Sequence, residues 1–171
     1  MKERPILFSA PMVRAILDGS KTQTRRVMRP QPEQWETAWH APGQPNGELA
    51  KLWGWQAPDG GPFIEEAHYD WPAAVHTYCP YGQPGDRLLV PDADGLQLEI
   101  VGLRVERLQD ISEDDALCEG ADMPLAGRGL AETRRRVREI AFPALWESIY
   151  GAGSWDANPW VWVVEFKRVT P

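Results

Sequence analysis

The densest group of residues able to do chemistry is the octapeptide Gly19-Ser20-Lys21-Thr22-Gln23-Thr24-Arg25-Arg26. It combines an amine, hydroxyl groups and two guanidinium groups. An amine beside a hydroxyl can carry out nucleophilic chemistry without histidine, provided that burial or a neighbouring cation lowers the pKa of the lysine. A catalytic site is therefore one interpretation of this segment. A solvated face of an edge strand and a phosphate-binding patch are the alternatives that the residues leave open.

The residues around this octapeptide predict a helix before it and a strand through it. Ser9 ahead of Pro11 is typical of a helix start, and Gly19 is typical of a helix end. The spacing of the apolar residues between them predicts a helix over 11–18. The alternation that follows predicts a strand over 22–28.

Lys21 and Thr24 can meet only if the lysine lies outside this strand. Thr24 and Arg26 are two residues apart and therefore project to one face, whereas a lysine three residues before Thr24 would project to the other. If Lys21 lies in the turn after Gly19, its stem can curl over the mouth of the fold toward Thr24. Arg25 and Arg26 are then the cations that could lower the pKa of the lysine.

The rest of the chain predicts an α+β fold: a small, mixed, mostly antiparallel β-barrel with two or three short helices. Alternation predicts a long strand over 96–105, bent near Gly102. The clearest strand signal is the closing segment over 159–169. Caps and periodicity predict helices over 113–120 and 130–150, the second bent or divided at its internal proline. The face that this second helix shares at helical spacing consists of Val137, Ile140, Ala141, Leu145, Trp146 and Ile149.

Residues 31–80 differ in composition from the rest, because prolines and glycines interrupt every periodic pattern. Short strands are predicted at 51–55 and 74–78. We interpret this stretch as an insertion packed by its own tryptophans within a single domain over 1–171, or as a partly mobile segment.

Composition limits the classes of function. The chain has 171 residues, 18 basic and 25 acidic side chains and a net charge of −7, which disfavours non-specific binding of nucleic acid. Its two cysteines, Cys79 and Cys118, predict a reducing compartment, and we expect a cytoplasmic protein. No stretch approaches the roughly 20 consecutive apolar residues of a membrane span, and the first residues do not resemble a signal peptide.

Two further groups of residues have alternative interpretations. The spacing of His40, His68, His76 and Cys79 fits no zinc template, so we expect no metal and no other cofactor. Four arginines, Arg134, Arg135, Arg136 and Arg138, form a basic helix face. The ordinary interpretation pairs this face with Glu132 and Glu139, and the functional alternative is a contact with an RNA backbone.

The pattern Gly19-x-Lys21-x-x-Thr24-x-Arg26 resembles the signature of the ASCH domain family, a relative of the PUA RNA-binding fold. The similarity extends to residues 84–88, to the strand over 101–108 with the helix after it, and to the closing residues 162–166. Within the family, the chain is similar to the small bacterial N4-acetylcytidine amidohydrolases. It is also similar to longer phage and prophage relatives with a tryptophan-rich insertion. Residues 89–95 are shortened relative to the latter, so a substrate contact made by this connection in those relatives would be lost or replaced here.

This resemblance implies a site and a reaction. The Lys-Thr-x-Thr-x-Arg of the amidohydrolases is matched by Lys21, Thr22, Thr24 and Arg26, and their functional glutamate falls on Glu119. Thr24 would attack the acyl carbonyl of a nucleoside and Lys21 would take its proton, or Lys21 would activate water with Thr24 positioning it. Glu119 would protonate the departing nitrogen or hold Lys21 in place. Arg26 and Thr22 would bind the substrate, and a tryptophan of the insertion could stack on the pyrimidine.

Two other functions remain open from the sequence. One is a PUA-like RNA-binding module without catalysis, which would use the arginine face. The other is a phage accessory protein that binds a host factor through residues 31–80.

Overall fold

The computed structural model describes residues 1–40, 49–56, 63–67, 78–121 and 129–169, and within 34–56 and 63–67 it describes the backbone and the Trp55 side chain. The strands and helices follow one another along the chain in this order: β1 (Glu3–Pro5), α1 (Ala10–Asp18), β2 (Gln23–Val27), β3 (Glu33–His40), β4 (Leu49–Gln56), β5 (Phe63–Ala67), β6 (Arg87–Leu89), β7 (Gln97–Arg107), α2 (Glu113–Cys118), α3 (Leu130–Arg136), α4 (Phe142–Tyr150) and β8 (Trp160–Arg168).

A five-stranded sheet with the order β1-β6-β7-β8-β2 forms the centre of the fold. The β1–β6 pair is parallel, and the other three pairs are antiparallel. The predicted α+β class with a mixed, mostly antiparallel sheet is confirmed. The local predictions for α1, β2, β7, α2 and β8 are also confirmed, each to within a few residues of its bounds.

Strand β8 separates two apolar cores. Trp162, Val164 and Phe166 pack in one core with residues of β6, β7 and α1. Val161 and Val163, which alternate with them, pack in the second core against Phe142 and other residues of the helices. A strand buried on both faces reads as a continuous apolar run, which is why its sequence was the clearest strand signal.

Strand β7 bends where predicted, with a register shift against β8 between Ile100 and Gly102. A Cβ at Gly102 would lie 2.4 Å from Glu165 Oε2, so a side chain there would displace the glutamate. The glycine therefore allows the Glu165 carboxylate to lie against β7.

Strands β3, β4 and β5 form a separate antiparallel sheet within the 31–80 stretch. The strand predicted at 51–55 lies within β4, whereas 74–77 lie outside the described residues and Tyr78 is in a turn. Trp55 of β4 is buried in the first core, edge-on to Trp162 at a ring-centroid distance of 6.0 Å. Its indole N–H donates to the Pro30 carbonyl at 2.9 Å.

The predicted 130–150 helix is continuous in path but contains a π turn over Val137–Ala141 between α3 and α4. The Phe142 N–H donates to the Val137 carbonyl, five residues back. This extra residue brings Phe142 onto the buried face. The predicted face was therefore wrong at Ile140 and Ile149, which are both 45% exposed, because it assumed an uninterrupted α-helical period.

Among the described residues, the helices are too short or too polar to span a bilayer.

Candidate functional site

Lys21 lies in the turn between α1 and β2, as its predicted role required. Gly19 ends α1 in the left-handed conformation with φ of 85°, which reverses the chain. The Lys21 N–H then donates to the Ala15 carbonyl at 2.9 Å, and Lys21 forms an isolated β-bridge with Glu119. These backbone bonds direct the lysine stem into the protein.

The Lys21 ammonium is fully buried and has three acceptors. Its Nζ donates to the Gln23 carbonyl at 2.8 Å, the Glu119 carbonyl at 2.8 Å and Glu119 Oε2 at 2.9 Å. Burial lowers the pKa of Lys21 below its ordinary value, the Glu119 charge opposes this shift, and Arg26 and Arg25 add smaller lowering effects. The predicted influence of the neighbouring arginines is thus present but secondary to desolvation.

Glu119 stands at the end of α2, where the sequence places it. The Ser112 hydroxyl accepts from the Asp115 N–H at 3.0 Å and starts this short helix, whose first turn carries three acidic residues. Gly120 follows with φ of 77°, and a Cβ there would lie 3.3 Å from Lys21 Cβ. A glycine at this position allows α2 to approach the lysine closely.

Thr24 and Glu119 line a single small cavity. Thr24 is 2% exposed, and its side chain is part of the cavity wall. The cavity volume is about 10 Å³, room for roughly one water-sized group. Its lining residues are Met12, Thr24, Arg25, Arg26, Glu119, Phe142, Leu145, Trp146, Ile149 and Tyr150.

Arg25 fixes the other oxygen of Glu119. Its Nη1 donates to Glu119 Oε1 at 3.0 Å, and its remaining nitrogens bind Glu106 Oε1 at 2.5 and 3.0 Å and Asp115 Oδ2 at 3.1 Å. The Arg25 side chain has no exposed surface. Both Glu119 oxygens are therefore held by cations, which stabilises the charged carboxylate in a buried position.

The ion pairs continue outward from Arg25 to the surface. Arg104 binds Glu106 at 3.0 Å, Asp115 at 2.8 Å and also Glu165. Although burial raises it, the pKa of Asp115 lies below its ordinary value because of Arg104 and Arg25. We call the seven side chains joined in this way the ionic chain: Lys21, Glu119, Arg25, Glu106, Asp115, Arg104 and Glu165.

Comparison with solved structures identifies the fold in which these residues lie. No family model and no curated protein matches the chain. An ASCH domain structure from Lactobacillus crispatus JV V101 matches with a TM-score of 0.50 and 14% identity, over 98% of this chain and 79% of that chain. The fold is ASCH-like. A second solved structure, of a hypothetical protein, has a TM-score of 0.47 and 11% identity, over 99% of this chain and all of that chain.

The ASCH-like fold buries the three predicted catalytic residues and brings them together in pairs. Lys21 contacts Glu119, and Thr24 shares the cavity with Glu119, while in the described residues no hydrogen bond joins Lys21 Nζ to the Thr24 hydroxyl. Glu119 is thus the residue that connects the other two.

The two predicted substrate-binding residues have different positions. Arg26 lines the cavity, and its guanidinium donates to the Leu7 carbonyl at 2.6 Å and lies 5.3 Å from the Phe8 ring centroid. Thr22 is exposed and lines a separate groove of about 310 Å³ beside Phe166, to which Lys21 also contributes. The ASCH-like fold therefore does not bring Thr22 into the cavity.

Sequence reasoning did not find the outer part of the ionic chain or the aromatic wall of the cavity. Arg104 and Glu106 are two apart on β7, so strand alternation alone could have placed them on one face. Their contact with Arg25 depends on how β7 and α2 approach β2. Phe142 was missed because of the π turn, which no local signal announced.

The histidines and Cys79, considered above as a metal site, lie partly outside the described residues. Within the described ranges no three metal-binding side chains cluster, His68 and His76 lie outside those ranges, and the His40 side chain is not described. Burial raises the pKa of Cys79 to about 11, which keeps it a neutral thiol.

The arginine face is largely paired with carboxylates. Arg135 and Arg136 both pair with Glu132, at 2.6 and 3.9 Å, and Arg134 pairs with Asp114 at 3.0 Å. Arg138 instead donates to the Ile111 carbonyl at 2.6 Å. The predicted pairing with Glu132 is thus present, and RNA binding by this face stays a prediction.

Proposed function

We propose that this chain is an amidohydrolase that removes the acyl group from N4-acetylcytidine or a related N4-acylated cytosine nucleoside, giving cytidine and a carboxylate. The observation that carries the proposal is the buried Lys21–Glu119 pair beside the cavity that Thr24 and Glu119 line together. An amine, a carboxylate and a hydroxyl shielded from water are groups suited to acyl transfer without histidine.

The first half of the reaction forms an acyl-enzyme. Thr24 Oγ1 attacks the acyl carbon while its proton passes to the neutral amine of Lys21. For this transfer the amine gives up one of its three present hydrogen bonds and accepts one from the Thr24 hydroxyl. Burial, by lowering the pKa of Lys21, favours the neutral amine. The intermediate then breaks its C–N bond, and the exocyclic nitrogen takes the proton of the Lys21 ammonium, which returns the lysine to the neutral amine while Glu119 holds it in place.

The second half returns the enzyme to its starting state. Water attacks the threonine ester while Lys21 takes the water proton, the C–Oγ1 bond breaks, and Thr24 recovers a proton from the lysine. In an alternative route Lys21 activates water directly and Thr24 only positions it. Both routes use the same three residues and give the same products.

The proposal is tested by following the ultraviolet shift from N4-acetylcytidine to cytidine. Lys21→Met removes the amine and Thr24→Val removes the hydroxyl, both with little change in side-chain volume. We expect each variant to lose more than about 1000-fold in kcat, since residues acting as a unit each carry most of the effect. Acid quenching followed by mass analysis distinguishes the two routes, because only the first leaves an acyl group on Thr24.

The control is Ser20→Ala, which removes an exposed hydroxyl next to Lys21 that bonds to Asp18 at 2.6 Å. Its rate should equal that of the wild type. Unchanged rates in folded Lys21→Met and Thr24→Val would contradict the proposed function.

A further inference from the structure

One residue that lines the cavity carries a buried hydrogen-bond donor that the proposed mechanism has not used. Trp146 lines the cavity beside Thr24 and Glu119 and is 2% exposed. Its indole Nε1 is buried and, among the described residues, has no hydrogen-bond partner. A tryptophan N–H can only donate, and a buried donor without an acceptor costs free energy, so such a group calls for an explanation.

The surroundings of Trp146 hold its ring in one orientation. The centroid of its ring lies 4.2 Å from that of Tyr150, one turn later in α4, and 6.3 Å from that of Phe142, one turn earlier. The π turn puts this aromatic row on the buried face, and π turns are frequent at functional sites. The donor is thus fixed before any ligand binds, which reduces the reorganisation needed at the moment of reaction.

The size of the cavity limits what can face this donor. A volume of about 10 Å³ takes one group of roughly the size of water, and a pyrimidine ring is far larger. Apolar side chains of Met12, Leu145 and Ile149 form much of the wall. The part of an acylated nucleoside that matches this size is the single oxygen atom of its acyl carbonyl, beside Thr24.

Resting on the proposed function, we propose that the cavity receives the acyl oxygen of the substrate and that the Trp146 indole N–H donates to this oxygen. As Thr24 Oγ1 bonds to the acyl carbon, the electron pair of the carbonyl π bond moves onto this oxygen. The developing negative charge strengthens the hydrogen bond from the indole, so the contact favours the transition state over the bound substrate.

The arginines that line the same cavity are already engaged. Arg25 binds three carboxylates, and Arg26 donates to the Leu7 carbonyl. Trp146 instead brings to the lining a buried side-chain donor that has no partner in the described part of the chain.

The experiment compares Trp146→Phe with the wild type on N4-acetylcytidine and on its thioacetyl analogue. Phenylalanine keeps the aromatic packing and removes the N–H. With the oxygen substrate we expect kcat to fall roughly 100-fold with a small change in KM, as for loss of one oxyanion donor. With the sulfur substrate the penalty should shrink to less than about 10-fold, since sulfur is a weak acceptor. A purely structural role would give equal penalties with both substrates.

A second measurement does not depend on how Trp146→Phe folds. Thr24→Val, labelled with ¹⁵N, is mixed with N4-acetylcytidine, and the indole resonances are followed. The Trp146 indole proton should move downfield, and that of Trp155, which packs on Phe142 at 5.9 Å without lining the cavity, should not. Trp155→Phe is the matched kinetic control and should retain its kcat.

The outcomes separate the two proposals. Hydrolysis by the wild type, together with an unmoved Trp146 resonance or equal penalties on both substrates, overturns the acyl-oxygen contact alone. Absence of hydrolysis by the wild type overturns the proposed function and this inference with it.

Discussion

At the scale of single residues, Lys21 is a cation with no exposed surface and with hydrogen bonds to three oxygens. Three acceptors satisfy the three protons of an ammonium, while burial favours the neutral amine. The same side chain is therefore stabilised as a cation by its acceptors, while burial lowers its pKa. A general base in acyl transfer needs this combination, because it must exist in both forms during one turnover.

The lowered pKa of Lys21 predicts how stability changes with pH. Between the folded pKa and the ordinary value of 10.5, the unfolded chain binds more protons than the folded one. The free energy of unfolding should therefore rise with pH in this window, and the contribution is lost as pH falls through the folded pKa. Urea unfolding of wild type and Lys21→Met, from about pH 8 to 10.5, isolates this effect because other groups cancel in the difference. A difference that is flat or falls with pH would contradict the prediction.

At the scale of elements, the π turn determines which side chains of the last helical segment reach the site. Thr133 and Val137 are buried four residues apart, and the next buried residue is Phe142, five further on. The single extra residue shifts the helical face, after which Trp146 follows at the regular spacing. Pro143, which lacks an N–H, stands directly after the turn and cannot complete a regular helical bond there.

Deleting Ile140 should remove the π turn and leave the buried face intact. Ile140 is exposed, and without it Phe142 would follow Val137 by four residues, as an α-helix requires. We expect the free energy of unfolding to change by less than about 1 kcal/mol, by urea unfolding followed by circular dichroism. Deleting exposed Ala144 is the control, since it rotates Trp146 by about 100° relative to Phe142. The prediction is wrong if the two deletions destabilise equally.

Elements with local signals were predictable from the sequence, and contacts that depend on strand register were not. Gly19 and Ser112 end and begin their helices through bonds to nearby residues, so their roles are visible in a short window. Arg25 instead binds Glu106, 81 residues away. The sequence suggested the catalytic candidates through a motif, but the partners that hold them follow from how the elements pack.

At the scale of the whole molecule, Trp55 connects the inserted sheet to the main fold. It is buried between Tyr78 and Trp162 and bonds to the Pro30 carbonyl. The sequence suggested that tryptophans of the 31–80 stretch pack among themselves, whereas Trp55 packs into the core of the five-stranded sheet. We infer from this contact that the insertion unfolds together with the rest of a single domain over 1–171.

Trp55→Ala should therefore lower the melting temperature of the whole chain. A buried tryptophan replaced by alanine costs about 3–5 kcal/mol, which corresponds to roughly 10 °C in a chain of this length. Scanning calorimetry should show one transition, shifted as a unit. Trp162→Ala, the same change in the main sheet, should shift the same transition. A second transition that moves with Trp55→Ala alone would show that the insertion is a separate unit.

Solvent exposure increases along the ionic chain: the exposed fraction of the side chain is zero at Lys21, 17% at Glu106 and 41% at Glu165. Added salt screens charges near water far more than charges away from it. Replacing the outermost acid, Glu165, should therefore have little effect on stability. A protein engineer who introduces the lysine into the core of another scaffold must introduce Glu119 and Arg25 with it, because an unpaired charge in an apolar core is strongly destabilising.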